Sequence, residues 1–437
     1  MTKSAILLAL FALLFGYLAP ASSQQQKQQL PFPFGPLQAN DSAASEAAQP
    51  AARRKVRKAK QKVRSGATRQ AAPASKAGPK SGTLPGSFER IPYTEEERAS
   101  AIIPGLPSVR FWGDSIGAFA EALPSTKGPW LILSAGGSAG AYGAGVLVGL
   151  SDAGKRPDFS VVTGVSIGAI MAPYAFVGQR YDAQLRDAFL NLNSAEVFED
   201  AQRSDSLVDT WPLRDQLKKR VTPELLADIA AEHQKGRRLF VITADLDSER
   251  PVIWNMGAIA AHGSEKAAKL FRDVLLAAAA IPGIFPPVYI DVQSGEKKFQ
   301  EMHVDGGVFG PIYVGPSSWL IEPTSEQLPV SQFYVILHTK LTPEFDIAGT
   351  EKVFILGRTI SAAVKGGAQA EIALLSSAAK RDGIGLNVAV IDSSFSVPAQ
   401  TAFDPTQMKA MFDLGYEQAK NGSAFRTQNP AGQAQKP

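Results

Sequence analysis

The sequence of 437 residues contains no cysteine and only four histidines. Without cysteine the protein can form no disulfide, so outside the cytoplasm its stability would depend on core burial alone. The same absence excludes a lipid-anchored lipoprotein, which needs a cysteine after its signal sequence. No cluster of His, Asp and Glu has the spacing of metal ligands, and we therefore expect neither a metal nor a cofactor.

An apolar run stands at the N-terminus, from Ala5 to Ala19, after the single positive residue Lys3. With the small residues that follow it, this run predicts a secretory signal peptide over residues 1–21, cleaved after Ala21. The run is shorter than the about 20 residues that a membrane-spanning helix needs. We therefore expect a periplasmic or secreted protein, and an uncleaved N-terminal membrane anchor is the alternative.

Residues 22–90 differ in composition from the rest of the chain. They are rich in Gln, Ala, Ser and Pro and lack the side chains that bury surface, so we expect a disordered linker. Between residues 22 and 88, twelve Lys or Arg stand against two acids, a net charge of +10. Because the whole chain carries +4 and Lys3 adds +1, the remainder is acidic, at −7. The basic run at 53–64 predicts either peripheral contact with an anionic membrane or a solvated linker without a partner. No specific nucleic acid is expected.

From Trp130 onward, short apolar runs alternate with segments of helical periodicity. This alternation is typical of βαβ units and predicts an α/β domain with a mostly parallel sheet. We place that domain at residues 91–426, with a motif-bearing core at 128–320 and a disordered tail at 427–437. The predicted strands are 130–134, 159–165, 239–243, 298–304, 333–338 and 387–391, and the predicted helices are 141–154, 167–178, 222–234, 264–280 and 404–422.

One serine lies where a predicted strand turns directly into a helix. Ser166 is the centre of Gly164-Val165-Ser166-Ile167-Gly168. A sharp strand-to-helix turn exposes a serine hydroxyl at the edge of a sheet, and Gly164 and Gly168 permit the tight turn. The motif alone is weak evidence, but its position between strand and helix predicts that Ser166 is a nucleophile.

A glycine-rich loop lies about 30 residues upstream, again between a strand and a helix, and contains Gly136, Gly137 and Gly140. Unblocked N–H groups at a helix N-terminus bind negative charge. A nucleotide phosphate loop is disfavoured, because no Gly-Lys-Ser/Thr ending follows. With a nucleophilic serine nearby, we interpret this loop as an oxyanion hole for a carbonyl under attack.

A serine nucleophile also needs a base, and Asp305 is our candidate. Asp305 ends a predicted strand at Gly306 and Gly307, 139 residues after Ser166. Active-site residues of parallel sheets gather at such strand ends. An ordinary Asp, with a pKa of about 3.9, is a weak base. We therefore expect its pocket to raise that pKa by excluding water.

The four histidines are the other candidates for the base. His233 and His262 lie near helix ends in polar surroundings, where we expect surface residues. His338 would complete a Ser-Asp-His order from the end of a buried strand. His303 stands two residues before Asp305, so we expect it on the same strand face. We interpret it as a plain core or surface histidine or as a residue that positions the aspartate.

The glycine loop, the serine turn and the Asp305-Gly306-Gly307 segment together resemble the patatin-like phospholipase family. The resemblance is good over residues 128–320 and looser to Gly422; it includes Asp158 to Phe176, Thr243 to Asp247, Pro251 to Gly257 and Ala280 to Pro287. It implies a three-layer α/β/α fold and hydrolysis of lipid acyl esters by a Ser-Asp dyad without a catalytic histidine. It further implies Ser166 as nucleophile, Asp305 as base and Gly136, Gly137 and Gly140 as the oxyanion hole.

Two positions depart from the family pattern. Ala135 replaces the first loop glycine, and Ala139 stands where the family has a basic residue before the last glycine. The missing cation weakens the expectation of a phosphate headgroup more than that of hydrolase chemistry. Two other functions stay open: a catalytically silent lipid-binding or envelope-tethering module, and a Ser-His-Asp carboxylesterase that uses His338.

Overall fold

The computed structural model describes residues 90–200, 205–322, 328–345, 347–350 and 352–428. The predicted signal peptide, the linker up to residue 89 and the end of the tail lie outside these residues. The strands are β1 (Arg110–Trp112), β2 (Gly128–Leu133), β3 (Val161–Gly164), β4 (Glu199–Asp200), β5 (Val208–Asp209), β6 (Arg238–Asp245), β7 (Arg250–Asn255), β8 (Val288–Ser294), β9 (Lys297–Asp305), β10 (Val330–Leu337), β11 (Gly385–Val390) and β12 (Phe425–Gln428).

The helices are α1 (Glu95–Ala99), α2 (Ile116–Ala122), α3 (Gly140–Asp152), α4 (Ile167–Val177), α5 (Asp182–Leu190), α6 (Ser194–Val197), α7 (Trp211–Arg220), α8 (Pro223–Gln234), α9 (Met256–Ala261), α10 (Glu265–Ala278), α11 (Ser317–Ile321), α12 (Lys352–Arg381) and α13 (Pro405–Lys420). Every element predicted from the sequence is present, with its ends shifted by at most three residues. Strand β12 extends two residues past the predicted end of the domain. Of the helices in the described residues, none combines the length and the apolar character needed to span a membrane.

Ten of the strands form one sheet, whose main path runs β1-β7-β6-β3-β2-β10-β11-β12. The five central strands, from β6 to β11, pair in parallel, as predicted. Antiparallel strands lie outside them, with β1 and β7 at one end and β12 at the other. Parallel strands require covered faces, which fits the continuous apolar runs of β2 and β3.

Helices cover both faces of this sheet. Alternate residues of β2 point to opposite faces, because side chains alternate along a strand. Leu131 and Leu133 belong to the apolar cluster that contains Tyr142 of α3 and helices α4 and α13. Trp130 instead contacts Phe119 of α2 edge to face, at 6.4 Å between ring centroids. The predicted three-layer α/β/α arrangement is confirmed.

Strand β6 has two different neighbours along one edge. Parallel β3 ends at Gly164, opposite Val241, and antiparallel β9 ends at Asp305, opposite Thr243. The two strands therefore approach each other end to end beside β6. This arrangement places Asp305 next to Gly164 and the turn that follows it. Because β9 runs antiparallel to β6, Asp305 reaches this position from the opposite direction to a parallel strand.

Candidate active site

The turn that carries Ser166 is strained and tightly enclosed. Ser166 has φ 56° and ψ −124°, in a region that costs a side-chain-bearing residue about 1–3 kcal/mol. The next residue begins α4, whose N-terminus therefore lies directly at the hydroxyl. The flanking glycines leave no room for side chains: a Cβ at Gly164 would lie 2.4 Å from the Gly168 carbonyl oxygen, and one at Gly168 would lie 2.4 Å from that of Leu133. The predicted turn geometry is present.

Asp305 is buried beside this serine. Its carboxylate interacts with the Ser166 hydroxyl and accepts a hydrogen bond of 2.7 Å from the Gly307 N–H. Burial raises the pKa of Asp305 to about 6, and these two hydrogen bonds oppose the shift only in part. A carboxylate of this kind can accept a proton near neutral pH, which an ordinary aspartate does poorly.

The glycine loop forms a single turn of 3₁₀ helix before α3. The N–H of Gly140 donates to the carbonyls of Gly137 and Ser138. In contrast, the N–H groups of Gly136 and Gly137 have no such acceptor among the described residues. Gly140 has a packing role as well, because a Cβ there would lie 2.5 Å from Cγ1 of Ile167.

His338 lies at the same edge of the sheet but is bound to the backbone. Its Nδ1 donates to the Ser134 carbonyl at 2.6 Å, and its N–H donates to the Ser134 hydroxyl at 2.8 Å. Burial lowers the pKa of His338 to about 4, although the bond to Ser134 opposes this, so the ring is neutral. Its Nε2 faces Gly143, where a Cβ would lie only 2.2 Å away. Burial raises the pKa of Asp305, and the contacts that oppose this come from Ser166 and Gly307 rather than from this ring.

The other histidines lie away from the serine. His303, fully buried, bonds to Thr243 Oγ1 at 3.0 Å and to Glu301 Oε2 at 3.1 Å. His262 is exposed, as predicted, and contacts Ser264. His233, predicted at the surface, is half-buried because Gly257 packs against its ring. In the described part of the chain, no group of three or more His, Asp or Glu is arranged to hold a metal ion.

Two cavities meet at Ser166. The larger, of about 540 Å³, is also lined by Asp305, Gly136 and His338. The smaller, of about 70 Å³, is almost entirely apolar and extends between α4, α7 and α10; it is lined by residues such as Ile170, Leu217, Leu275 and Phe285. Ile281 lines both cavities. A bound ester could therefore extend from Ser166 into either cavity.

Four charged residues of the larger cavity are absent from the sequence-based prediction. Lys340 and Glu344 follow β10, and Arg358 and Lys365 belong to α12. None stands in a recognisable motif, and no helix is predicted at 352–381, where Gly366 and Gly367 lower the helical propensity of the segment. When the helix itself is not predicted, the sequence does not show that its charged residues line a cavity.

The comparisons with known proteins concern the family of this sequence. The family model for patatin-like phospholipases matches residues 131–315, which contain Ser166, Asp305 and the glycine loop. No curated protein matches the sequence. Among solved structures, that of VipD from Legionella pneumophila is similar at 13% identity and a TM-score of 0.36, over 70% of this chain and 68% of that chain. The matched model describes a family of lipid acyl hydrolases. The chain therefore carries a patatin-like phospholipase domain over residues 131–315.

Proposed function

We propose that this protein is a serine acyl hydrolase that cleaves ester bonds of lipids, as a phospholipase A or a lysophospholipase. One observation carries the proposal: the Ser166 hydroxyl, on a strained strand-to-helix turn, interacts with the buried carboxylate of Asp305. A serine becomes a nucleophile when a neighbouring group takes its proton. A base with a pKa of about 6 suits this task near neutral pH.

In the first half of the reaction, Ser166 Oγ attacks the ester carbonyl and its proton passes to Asp305. Negative charge develops on the carbonyl oxygen, and the N–H groups of Gly136 and Gly137 would bind it, aided by the N-terminus of α4. As the tetrahedral intermediate collapses, the ester C–O bond breaks. Asp305 then gives its proton to the leaving alcohol, and the acyl group stays on Ser166.

In the second half, water attacks the acyl-enzyme. Asp305 takes a proton from the water, the oxyanion site binds the second tetrahedral intermediate, and the bond to Ser166 Oγ breaks with return of the proton. The products are a fatty acid and the free enzyme. Each step uses the same carboxylate, once as base and once as acid, which favours a pKa close to the working pH.

A Ser-His-Asp mechanism through His338 has less support. A triad histidine needs one ring nitrogen on the serine and the other on a carboxylate. His338 uses Nδ1 on the Ser134 carbonyl, and its Nε2 faces Gly143. The directly paired Ser166 and Asp305 also speak against a silent lipid-binding module, since such a module needs neither group.

A fluorophosphonate probe and lipid product analysis test the proposal together. We expect the probe to label the wild-type protein at Ser166 and not Ser166→Ala, and we expect mixed lipid vesicles to release free fatty acid with the wild type only. Absence of both labelling and release from folded wild-type protein would refute hydrolase activity. Action in the periplasm or outside the cell, and contact of residues 53–64 with anionic lipid, stay predictions from the sequence.

A further inference from the structure

We propose that Glu371 is a positioning residue for the hydrolysis: its carboxyl holds residues 306–312, the segment that follows Asp305, against helix α12. This role rests on the proposed function and deepens it. Glu371 lies beyond residues 131–315, the part of the chain that matches the family model, and it does not line the cavity. It therefore acts through other residues rather than on the substrate.

Segment 306–312 connects the two sides of the active site. At its start, the Gly307 N–H donates to Asp305 Oδ1 at 2.7 Å. Near its end, the Pro311 carbonyl accepts a hydrogen bond of 2.8 Å from the N–H of Ala135, which adjoins the glycine loop. A shift of this segment would therefore displace the base and the glycine loop together.

The carboxyl of Glu371 fixes the end of this segment. Its Oε2 accepts a hydrogen bond of 3.0 Å from the Ile312 N–H. Its Oε1 packs against Gly310 so closely that a Cβ at this position would overlap the carboxyl. Ile312 is itself buried, and a buried N–H without a partner is costly. The hydrogen bond therefore favours one position of the segment over others.

Helix α12 approaches the segment closely because it has a glycine at the contact. A Cβ at Gly367 would lie 2.9 Å from Cδ of Pro311, closer than side chains normally pack. At Gly366, in contrast, a Cβ would have no atom of the described residues within 4 Å. Gly367 lies one helical turn before Glu371, so the two residues share a face of α12. That face contacts the segment.

In the described part of the chain, no cation pairs with Glu371. Burial raises the pKa of this residue to about 8, and only the hydrogen bond from Ile312 opposes the shift. Helix α11 and strand β11, which pack against α12, contain no charged residue. At pH 7 the carboxyl is therefore mostly protonated and neutral.

The titratable groups around this carboxyl have other partners. Lys365, on the same helix, and Lys340, after β10, both pair with Glu344. At the two ends of the segment, Asp305 interacts with the serine and Tyr313 donates to a backbone carbonyl. Ionisation of the Glu371 carboxyl therefore leaves a negative charge without a counterion beside the segment.

The contact between Glu371 and Ile312 should consequently depend on pH. The folded pKa of about 8 lies above the ordinary value of 4.5, so the neutral buried form is favoured at low pH and is lost as the pH rises through 8. Water stabilises the ionised carboxyl, which favours its release from Ile312. We therefore expect kcat to fall above pH 8.

The pH profile of Glu371→Gln on the full chain tests this role. With a neutral ester, wild-type turnover per probe-labelled site should stay level to about pH 8 and then fall about tenfold per pH unit. Gln stays neutral and keeps an acceptor for Ile312, so the variant should match wild type at pH 7 and show no fall up to pH 9.5.

A second group could produce the same fall, because burial lowers the pKa of Lys340, which lines the cavity, to about 8. If the fall persists in Glu371→Gln, it belongs to Lys340 or another group and the proposal is overturned. A wild-type profile that stays level to pH 9.5 overturns it as well.

Glu371→Ala separates the effect on kcat from an effect on substrate binding. This change leaves the Ile312 N–H without its acceptor, and a misplacement of about 1 Å in an active site can cost about 100-fold in rate. At pH 7 we expect kcat to fall tenfold or more, with KM within about twofold of wild type. Wild-type kcat in Glu371→Ala overturns the proposal. If this variant does not fold, the profile of Glu371→Gln decides.

The two adjacent glycines of α12 provide a matched control. Gly367→Ala and Gly366→Ala add the same methyl group and the same gain in helix propensity. Only the first pushes against Pro311, so Gly367→Ala should lower kcat and Gly366→Ala should leave it unchanged. Equal kcat in the two variants would show that the contact between α12 and the segment does not position the site.

Failure of the proposed hydrolysis would be recognised separately, as no turnover by the folded wild type. In that event, hydrogen exchange of a peptide that contains Ile312 still decides the inference. Wild type and Glu371→Gln should exchange equally at pH 6.5, and wild type should exchange faster at pH 9, where its carboxyl is ionised. Equal exchange at both pH values refutes the contact.

Discussion

Two acidic residues on β9, Glu301 and Asp305, lie four positions apart on the same strand face and are both buried. Both carboxylate oxygens of Glu301 accept hydrogen bonds from Arg110, and the carboxylate lies 3.2 Å from Arg98. Although burial acts to raise it, hydrogen bonds from His303 and Arg110 hold the pKa of Glu301 below its ordinary value. The shift of Asp305 has no contribution from a cation, and its pKa is raised to about 6.

This difference shows that one strand can carry a carboxylate that stabilises the fold, Glu301, and another that can act as a base, Asp305. A buried carboxylate with two arginines stays ionised and has little affinity for a proton, so it can join β1 and α1 to the sheet. A buried carboxylate that meets only a hydroxyl and an N–H keeps a high proton affinity. The second arrangement costs stability and provides a base, which is typical of a functional site.

The largest effect should come from Asp305→Asn and Ser166→Ala. Each should lower turnover of a short-chain p-nitrophenyl ester by about three to six orders of magnitude, because either change removes the proton transfer from the serine. The double variant should be no worse than either single one, since the two residues act as a unit. Circular dichroism checks that the fold is kept. Substantial activity in Asp305→Asn would show that Asp305 is not the base.

Substitution of the two carboxylates on β9 should change the free energy of unfolding in opposite directions. At pH 8, Glu301→Gln leaves Arg110 without its carboxylate and Arg98 with Asp245 alone. This change should lower the free energy of unfolding by about 3–5 kcal/mol. Asp305 has a folded pKa of about 6, above its unfolded value, so its stabilising contribution exists at low pH and is lost as the pH rises through 6. Asp305→Asn should therefore stabilise the protein by about 2 kcal/mol at pH 8.

Urea unfolding at pH 8 and at pH 4.5 measures both changes. The gain from Asp305→Asn should shrink at the lower pH, where the wild-type carboxyl is protonated and neutral. If both variants were destabilised at both pH values, the predicted difference between Glu301 and Asp305 would be wrong. Glu301→Gln should keep normal turnover per probe-labelled site in the folded fraction, because Glu301 does not line the cavity.

The pH dependence of catalysis follows from the same carboxylate. Asp305 acts as a base only when ionised, so kcat/KM should rise with pH and level off above about 6. Below that value it should fall about tenfold per pH unit. A stopped assay with a neutral ester between pH 4.5 and 8 measures the profile. A profile that levels off near pH 4 would indicate an ordinary aspartate or a different base.

The sequence predicts the parallel core and the catalytic candidates well, because each leaves a local pattern. The strand-to-helix turn at Ser166 is encoded by Gly164 and Gly168, whose close contacts exclude any other residue. The meeting of β3 and β9 end to end leaves no such pattern, since it depends on how both strands pair with β6. For the same reason the sequence predicts the strand that ends at Asp305 but not that this strand runs antiparallel to β6.

The local sequence pattern also does not predict the role of each histidine. His303 and Asp305 share a strand face as expected, yet only the structure shows that Glu301 and Thr243 occupy both ring nitrogens of His303. Helix α12 was missed because its centre contains Gly366 and Gly367, and packing against α11 and β11 outweighs their low propensity. The charged wall of the cavity was missed with it.

Among the candidate bases, His338 should have the smallest effect on the rate when it is replaced by alanine. The ring is neutral, bonded to Ser134 through Nδ1, and directed at Gly143 rather than toward a carboxylate. Its loss leaves a cavity and an unpaired Ser134 carbonyl, so we expect lower stability, by about 2–4 kcal/mol, but turnover within a few-fold of wild type. Turnover per probe-labelled site corrects for unfolded protein. A loss of three orders of magnitude in that quantity for His338→Ala alone would make the histidine the base and leave Asp305 as its partner. In that case, Asp305 would differ from Glu301 by orienting the histidine of a triad rather than by accepting the proton from the serine itself.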